Sequence, residues 1–143
     1  MPKANPEDLL IASTFARVGV PVYALLIAYA SWYPFSGWPR LGLSPLAYLS
    51  EPLPHYWTMF DVLTNIAAYV PLGMLAVFAL YPQIRGISAF LLAMLSGILL
   101  SGAMEAGQTF LPSRVASNLD LLTNTGGVVI GAVAGILLTP VFL

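Results

Sequence analysis

The sequence predicts an all-α membrane protein of four transmembrane helices, with a proline-rich interfacial loop between the first and the second. Three observations carry this. Of 143 residues, 59% are hydrophobic and 8% charged, against about 25% charged in an ordinary soluble domain. Mean hydropathy is +0.86. Four long apolar stretches, near residues 15–35, 62–81, 87–109 and 118–140, are each close to the ~20 residues a helix needs to cross a bilayer. A soluble domain of normal size does not fit beside them, so residues 1–143 read as one transmembrane domain. Five Lys and Arg against six Asp and Glu make no basic field, and no nucleic-acid partner is expected. The absence of Cys removes disulfides, thiolate catalysis and Cys-ligated metals. With a single His beside Tyr56 and Trp57, no metal or other cofactor is expected.

The polar residues from Met1 to Asp8 read as a short tail, without the small-x-small site and following soluble domain of a cleavable signal peptide. Span one is entered through Arg17. Val18 to Phe35 then gives 18 residues without a charge, ending in the aromatic group Trp32, Tyr33, Phe35 and Trp38, as at a headgroup boundary. Pro34, Pro39, Pro45, Pro52 and Pro54 forbid a long helix in the next stretch. Its apolar Leu41, Leu43, Leu46, Tyr48, Leu49, Tyr56 and Trp57 suit an interfacial or partly re-entrant loop with short helical turns rather than a solvated linker.

Span two is the charge-free run from Val62 to Leu80, interrupted by Pro71 and Gly73 and closed by Tyr81-Pro82. Gln83 to Gly86 form a turn. Span three begins near Ile87 and carries Glu105 and Gln108 near its end. The turn Leu111-Pro112-Ser113-Arg114 leads to span four, from about Ser117 to Pro140. A cytoplasmic N-terminus would put Lys3, Arg17 and Arg85 inside and Arg40 and Arg114 outside, a three-to-two balance that favours N-in, C-in.

Counting spans puts the long loop and the Arg114 turn at one membrane face, and the polar residues converge there. Asp61 and Asn65 share a helix face, with Tyr69 one turn deeper. Gly97, Ser101, Glu105 and Gln108 form one stripe on span three. Asp120, Asn124, Gly127, Gly131 and Gly135 form another on span four. Simpler roles compete for each. Ser117-x-x-Asp120 has the form of a capping-box variant. Gly127, Gly131 and Gly135 make a doubled G-x-x-x-G that lets helices approach in lipid. Asn65 and Asn124 suit interhelical hydrogen bonds. Glu105 resists a bland reading most, because a carboxylate in a span needs a partner, a proton or a wet cavity. An ion pair with Arg114 folding back from the turn is one resolution; a polar cavity for a headgroup is the other.

Asn65-Ile66 with Pro71-Leu72-Gly73, then Glu105-x-x-Gln108, then Arg114-x-x-Ser117-x-x-Asp120-x-x-x-Asn124-x-x-Gly127 resembles the VanZ-like family over about residues 60 to 135. Tyr69 stands where that family usually carries Phe, and the proline-rich loop has no counterpart in the pattern. The resemblance implies a small multi-span protein of the bacterial cytoplasmic (inner) membrane. It implies an envelope role, the namesake being linked to resistance to the glycopeptide teicoplanin. The motif positions make Asn65, Glu105, Gln108, Arg114, Asp120 and Asn124 candidate ligand-binding residues, and the resemblance assigns them no roles.

Three functions compete. The favoured one is a non-enzymatic envelope protein whose polar pocket takes a membrane lipid or lipid-linked headgroup, Arg114 gripping a phosphate or carboxylate. The second is an accessory subunit that docks on other membrane proteins through its aromatic, proline-rich loop and helix faces. The third, an intramembrane enzyme using Asp61, Glu105 and Asp120 as acid–base or metal-binding carboxylates, lacks an activated nucleophile.

Overall fold

The computed structural model describes residues 3, 5–37, 44–111 and 114–142. Trp38, Pro39, Arg40, Leu41 and Leu43 of the long loop, and Pro112 and Ser113 of the last turn, lie outside the described residues. Four helices follow in order: α1 (Pro6–Trp32), α2 (Met59–Leu80), α3 (Gly86–Gln108) and α4 (Asn118–Phe142). All four are long and apolar enough to cross a membrane, and no strand occurs among the described residues.

The first helix departs from expectation at both ends. It begins at Pro6, well before Arg17, and it stops at Trp32, leaving Tyr33 and Phe35 outside. Proline is preorganised for a first helical position, and Glu7 and Asp8 in the first turn complement the helix dipole. The residues expected to form a tail therefore start a helix. Arg17 does not mark its entrance either. Its Nε donates to the Ala79 carbonyl (2.9 Å), and its Nη2 donates to the Tyr81 carbonyl (3.2 Å) and to Gln83 Oε1 (2.6 Å). The last carbonyls of a helix have no intrahelical donor, and Arg17 supplies donors where α2 ends.

Thr58 starts α2 by accepting the Asp61 amide on its Oγ1 at 3.1 Å, a side-chain N-cap. Pro71 lies inside α2 and leaves the carbonyl of Ala67 without its usual donor. One residue along, the Ala68 carbonyl accepts a hydrogen bond from the Tyr23 hydroxyl of α1.

The pair α2 and α4 forms the centre of the bundle, with α3 against α4 and α1 against α2. Their backbones nearly touch. A Cβ on Gly131 would overlap the Val70 carbonyl, one on Gly127 the Ile66 carbonyl, and one on Gly73 the Val128 carbonyl. Gly135 is looser, its nearest such contact being Val77 Cβ at 3.1 Å. Val128, fully buried, meets Ile27, Tyr69, Leu72 and Met104 in the core. Packing in lipid has no hydrophobic drive between helices, so close approach through small residues is what holds this seam.

Between α1 and α2 the described chain makes a short 3-10 turn at Ala47–Ser50. Buried Tyr48 anchors it by donating to the Gly102 carbonyl at 3.0 Å. Burial first, and then the Glu105 carboxylate, raise the Tyr48 phenol above its usual value. Asn118 Nδ2 donates to the Glu51 carbonyl at 2.7 Å, tying this segment to the start of α4.

Candidate functional site

The C-terminal end of α1, the N-terminal end of α2, the C-terminal end of α3 and the N-terminal end of α4 enclose a cavity of about 600 Å³. All six candidates, Asn65, Glu105, Gln108, Arg114, Asp120 and Asn124, line it, and so does Asp61. Tyr56, Phe60 and Val115, also on its wall, are 84%, 77% and 83% exposed, whereas Glu105 is 3% exposed and Asn124 4%. The cavity thus has an apolar, open rim and a polar, buried floor.

Five of the six candidates also belong to hydrogen bonds near helix ends, and Asn124 to one deeper in the bundle. Ser117 precedes α4 and accepts the Asp120 amide on its Oγ at 3.3 Å. In a full capping box, the acid three residues on would return to the Ser117 amide. That amide instead donates to Glu105 Oε2 at 2.9 Å. The Asp120 carboxylate is released to α2, where its Oδ1 accepts from Asn65 Nδ2 at 3.0 Å. Asn65 Nδ2 also reaches Thr123 Oγ1 at 3.4 Å. Two carboxylates therefore hang from three helices at one corner of the cavity.

Gln108 and Arg114 serve α1. Its terminal carbonyls are taken in turn: Ala30 by Arg114 Nη2 (3.1 Å), Ser31 by Gln108 Nε2 (3.0 Å) and Trp32 by the Phe35 amide (2.8 Å). Arg114 Nε donates to the Tyr33 carbonyl just beyond, at 3.1 Å. The Glu105–Arg114 ion pair allowed by the sequence is not made. Arg114 does fold back, but onto carbonyls at and just beyond the end of α1, while one oxygen of Glu105 takes the Ser117 amide.

Deeper in the bundle, Asn124 Nδ2 donates to Ser101 Oγ at 3.0 Å, and Asn124 Oδ1 is buried with no partner among the described residues. The Tyr69 hydroxyl lies beside Ser101, also without a hydrogen bond of ordinary geometry. Gly127, Gly131 and Gly135 lie further along α4, off the cavity wall and against α2. Exposed His55 does not line the cavity. Among the described residues no group of three or more His, Cys, Asp and Glu stands close enough to hold a metal ion.

Sequence reasoning missed the α1 wall. Ile27, Ala30 and Ser31 line the cavity, and the parts of Ala30 and Ser31 that matter are backbone carbonyls, which leave no trace in residue type. A retrievable signal did exist: a helix end needs donors, and Gln108 and Arg114 are donor-bearing side chains near the turn that faces the end of span one.

Four membrane-length helices closed around a polar cavity at one end define a small multi-pass membrane protein with a pocket between its helix ends. The VanZ/LLP1 family model matches residues 14–139, and the chain belongs to that family. No curated protein and no solved structure matches it.

Proposed function

We propose that the chain is a non-enzymatic envelope protein whose cavity receives the polar headgroup of a membrane lipid or lipid-linked envelope precursor. The supporting observation is the cavity of about 600 Å³ shared by Asn65, Glu105, Gln108, Arg114, Asp120 and Asn124. That volume suits a small polar ligand. Its contrast of exposed apolar rim and buried polar floor suits an amphiphile, with acyl chains at Tyr56, Phe60 and Val115 and the headgroup below. On this reading the loop carrying Pro54, Tyr56 and Trp57 lies at headgroup level, where aromatic residues are at home. Interference with a glycopeptide such as teicoplanin would follow if the occupant belonged to the wall precursor that the drug recognises.

The test is lipid analysis of the protein extracted from its native membrane in polymer-bounded discs, with bulk membrane as reference. One lipid class should be enriched in the wild type and return to its bulk share in Glu105→Gln and Asn124→Leu variants that remain folded. A wild-type profile equal to bulk sinks the proposal, and a stoichiometric protein partner in its place would point to an accessory subunit.

A further inference from the structure

The described lining of the cavity carries more negative charge than positive. Three carboxylates line it, Asp61, Glu105 and Asp120, against one cation among the described lining residues, Arg114. Arg114 has already engaged its Nε–H and one Nη2–H with the Tyr33 and Ala30 carbonyls. The lining amides are neutral: Asn65 Nδ2 gives its N–H groups to Asp120 and Thr123, while Gln108 and Asn124 each give one, to Ser31 and Ser101, and keep one. The acceptors are not used up. Of the carboxylate oxygens, Oε2 of Glu105 and Oδ1 of Asp120 alone receive donors from the described residues. Asn124 Oδ1, on a residue only 4% exposed, receives none from the described residues. A buried carbonyl oxygen without a donor is costly unless a ligand or water meets it.

An anionic headgroup would bring its charge to face three carboxylates with one cation beside them. A primary ammonium group brings three N–H donors, one positive charge and no acceptor. From these complementary needs we infer that the cavity selects a headgroup bearing a primary ammonium group over an anionic one. The ammonium group sits among Glu105, Asp120 and Asn124 Oδ1, with Asp61 nearer the rim. Nη1 of Arg114, which makes no hydrogen bond to the described residues, is left to face the phosphate that joins such a headgroup to its lipid. This inference rests on the cavity being a headgroup site, and it names the class of headgroup.

Trp57 on the cavity wall provides the readout. The full chain in a neutral maltoside detergent is titrated with dihexanoyl phosphatidylethanolamine, phosphatidylglycerol and phosphatidylcholine, which share acyl chains and differ in headgroup, while tryptophan fluorescence is followed. A further titration uses free O-phosphoethanolamine. Phosphatidylethanolamine should bind about tenfold more tightly than phosphatidylglycerol, a gap worth about 1.4 kcal/mol. Phosphatidylcholine, zwitterionic with a quaternary ammonium that has no N–H donors, should bind more weakly than phosphatidylethanolamine. Asp61→Asn, at an exposed position, and Glu105→Gln, which keeps an acceptor for the Ser117 amide, should both narrow the gap. Saturable binding of free O-phosphoethanolamine would show that the ammonium chemistry suffices; binding of the lipid alone would assign the site to the bilayer form. Phosphatidylglycerol binding as tightly as phosphatidylethanolamine overturns the ammonium inference and leaves the headgroup reading standing. No saturable response to any of the three lipids overturns both.

Discussion

Replacing Arg114 with Ala removes the donors of two carbonyls at the end of α1, Ala30 and Tyr33, each reached at 3.1 Å. A hydrogen bond from a charged donor contributes about 1.5–3 kcal/mol when its partner is left dry. Arg114 is half-buried, so water replaces part of each bond, and the lower end of that range, reduced by solvation, gives about 2 kcal/mol for the pair. Arg114→Lys keeps the charge, but one ammonium on a flexible stem does not reproduce the planar fork that reaches both carbonyls; it should recover about half. The assay is equilibrium unfolding in mixed micelles of dodecyl sulfate and maltoside. Trp32 serves as reporter in a Trp38→Phe, Trp57→Phe background, because its Nε1 donates to the Met104 carbonyl at 3.0 Å and so senses α1 leaving α3. The expected order of midpoints is wild type, then Lys, then Ala. If Arg114→Ala unfolds at the wild-type midpoint, the carbonyls of α1 do not depend on Arg114, and a side chain held for an anionic ligand becomes the better account.

Three other substitutions probe the packing and the cap. Gly131→Ala should cost about 1–3 kcal/mol of stability in the same assay, as overpacking does, because its Cβ would overlap the Val70 carbonyl; Gly126→Ala, which meets nothing within 4 Å, should be neutral or stabilise by up to about 1 kcal/mol through helix propensity. Glu105→Ala strands the Ser117 amide and should cost about 2 kcal/mol, whereas Glu105→Gln keeps the acceptor and should cost less than about 1 kcal/mol; equal losses would mean that charge, not the amide bond, is what matters. A double-mutant cycle of Asn65→Ala and Asp120→Ala should give a coupling of about 1 kcal/mol, and additive effects would show that the 3.0 Å bond contributes nothing between α2 and α4.

The four spans were legible because lipid imposes length and composition on a helix, and these survive any detail of packing. Convergence of the polar stripes was legible because span count fixes which helix ends lie together. Partner choice was not. Glu105 and Arg114 have opposite charge and are neighbours in the chain, and a residue-level reading pairs them. The structure separates them because backbone groups compete: the Ser117 amide and the carbonyls of Ala30 and Tyr33 are unsatisfied at helix ends, and residue type does not reveal them. The early start of α1 was missed for a related reason. Arg17 looks like a boundary when charge is counted, yet its guanidinium finds donorless carbonyls where α2 ends. Arg17 and Arg114, two of the chain's five Lys and Arg, thus do the same work at the two ends of the bundle.

The exchange at the start of α4 ties fold and site together. Because α3 supplies Glu105 for the Ser117 amide, Asp120 is free to meet Asn65 and the cavity. Without Glu105, the Asp120 carboxylate is three residues from a vacant amide and can complete its own capping box, withdrawing from Asn65. The Asn65–Asp120 coupling should therefore fall toward zero in a Glu105→Ala background and persist in Glu105→Gln. Measured as a triple cycle in mixed micelles, an unchanged coupling in both backgrounds would mean that the two carboxylates act separately. A coupling lost only with Ala would show that Glu105 holds Asp120 in place, and that either carboxylate is a property of both.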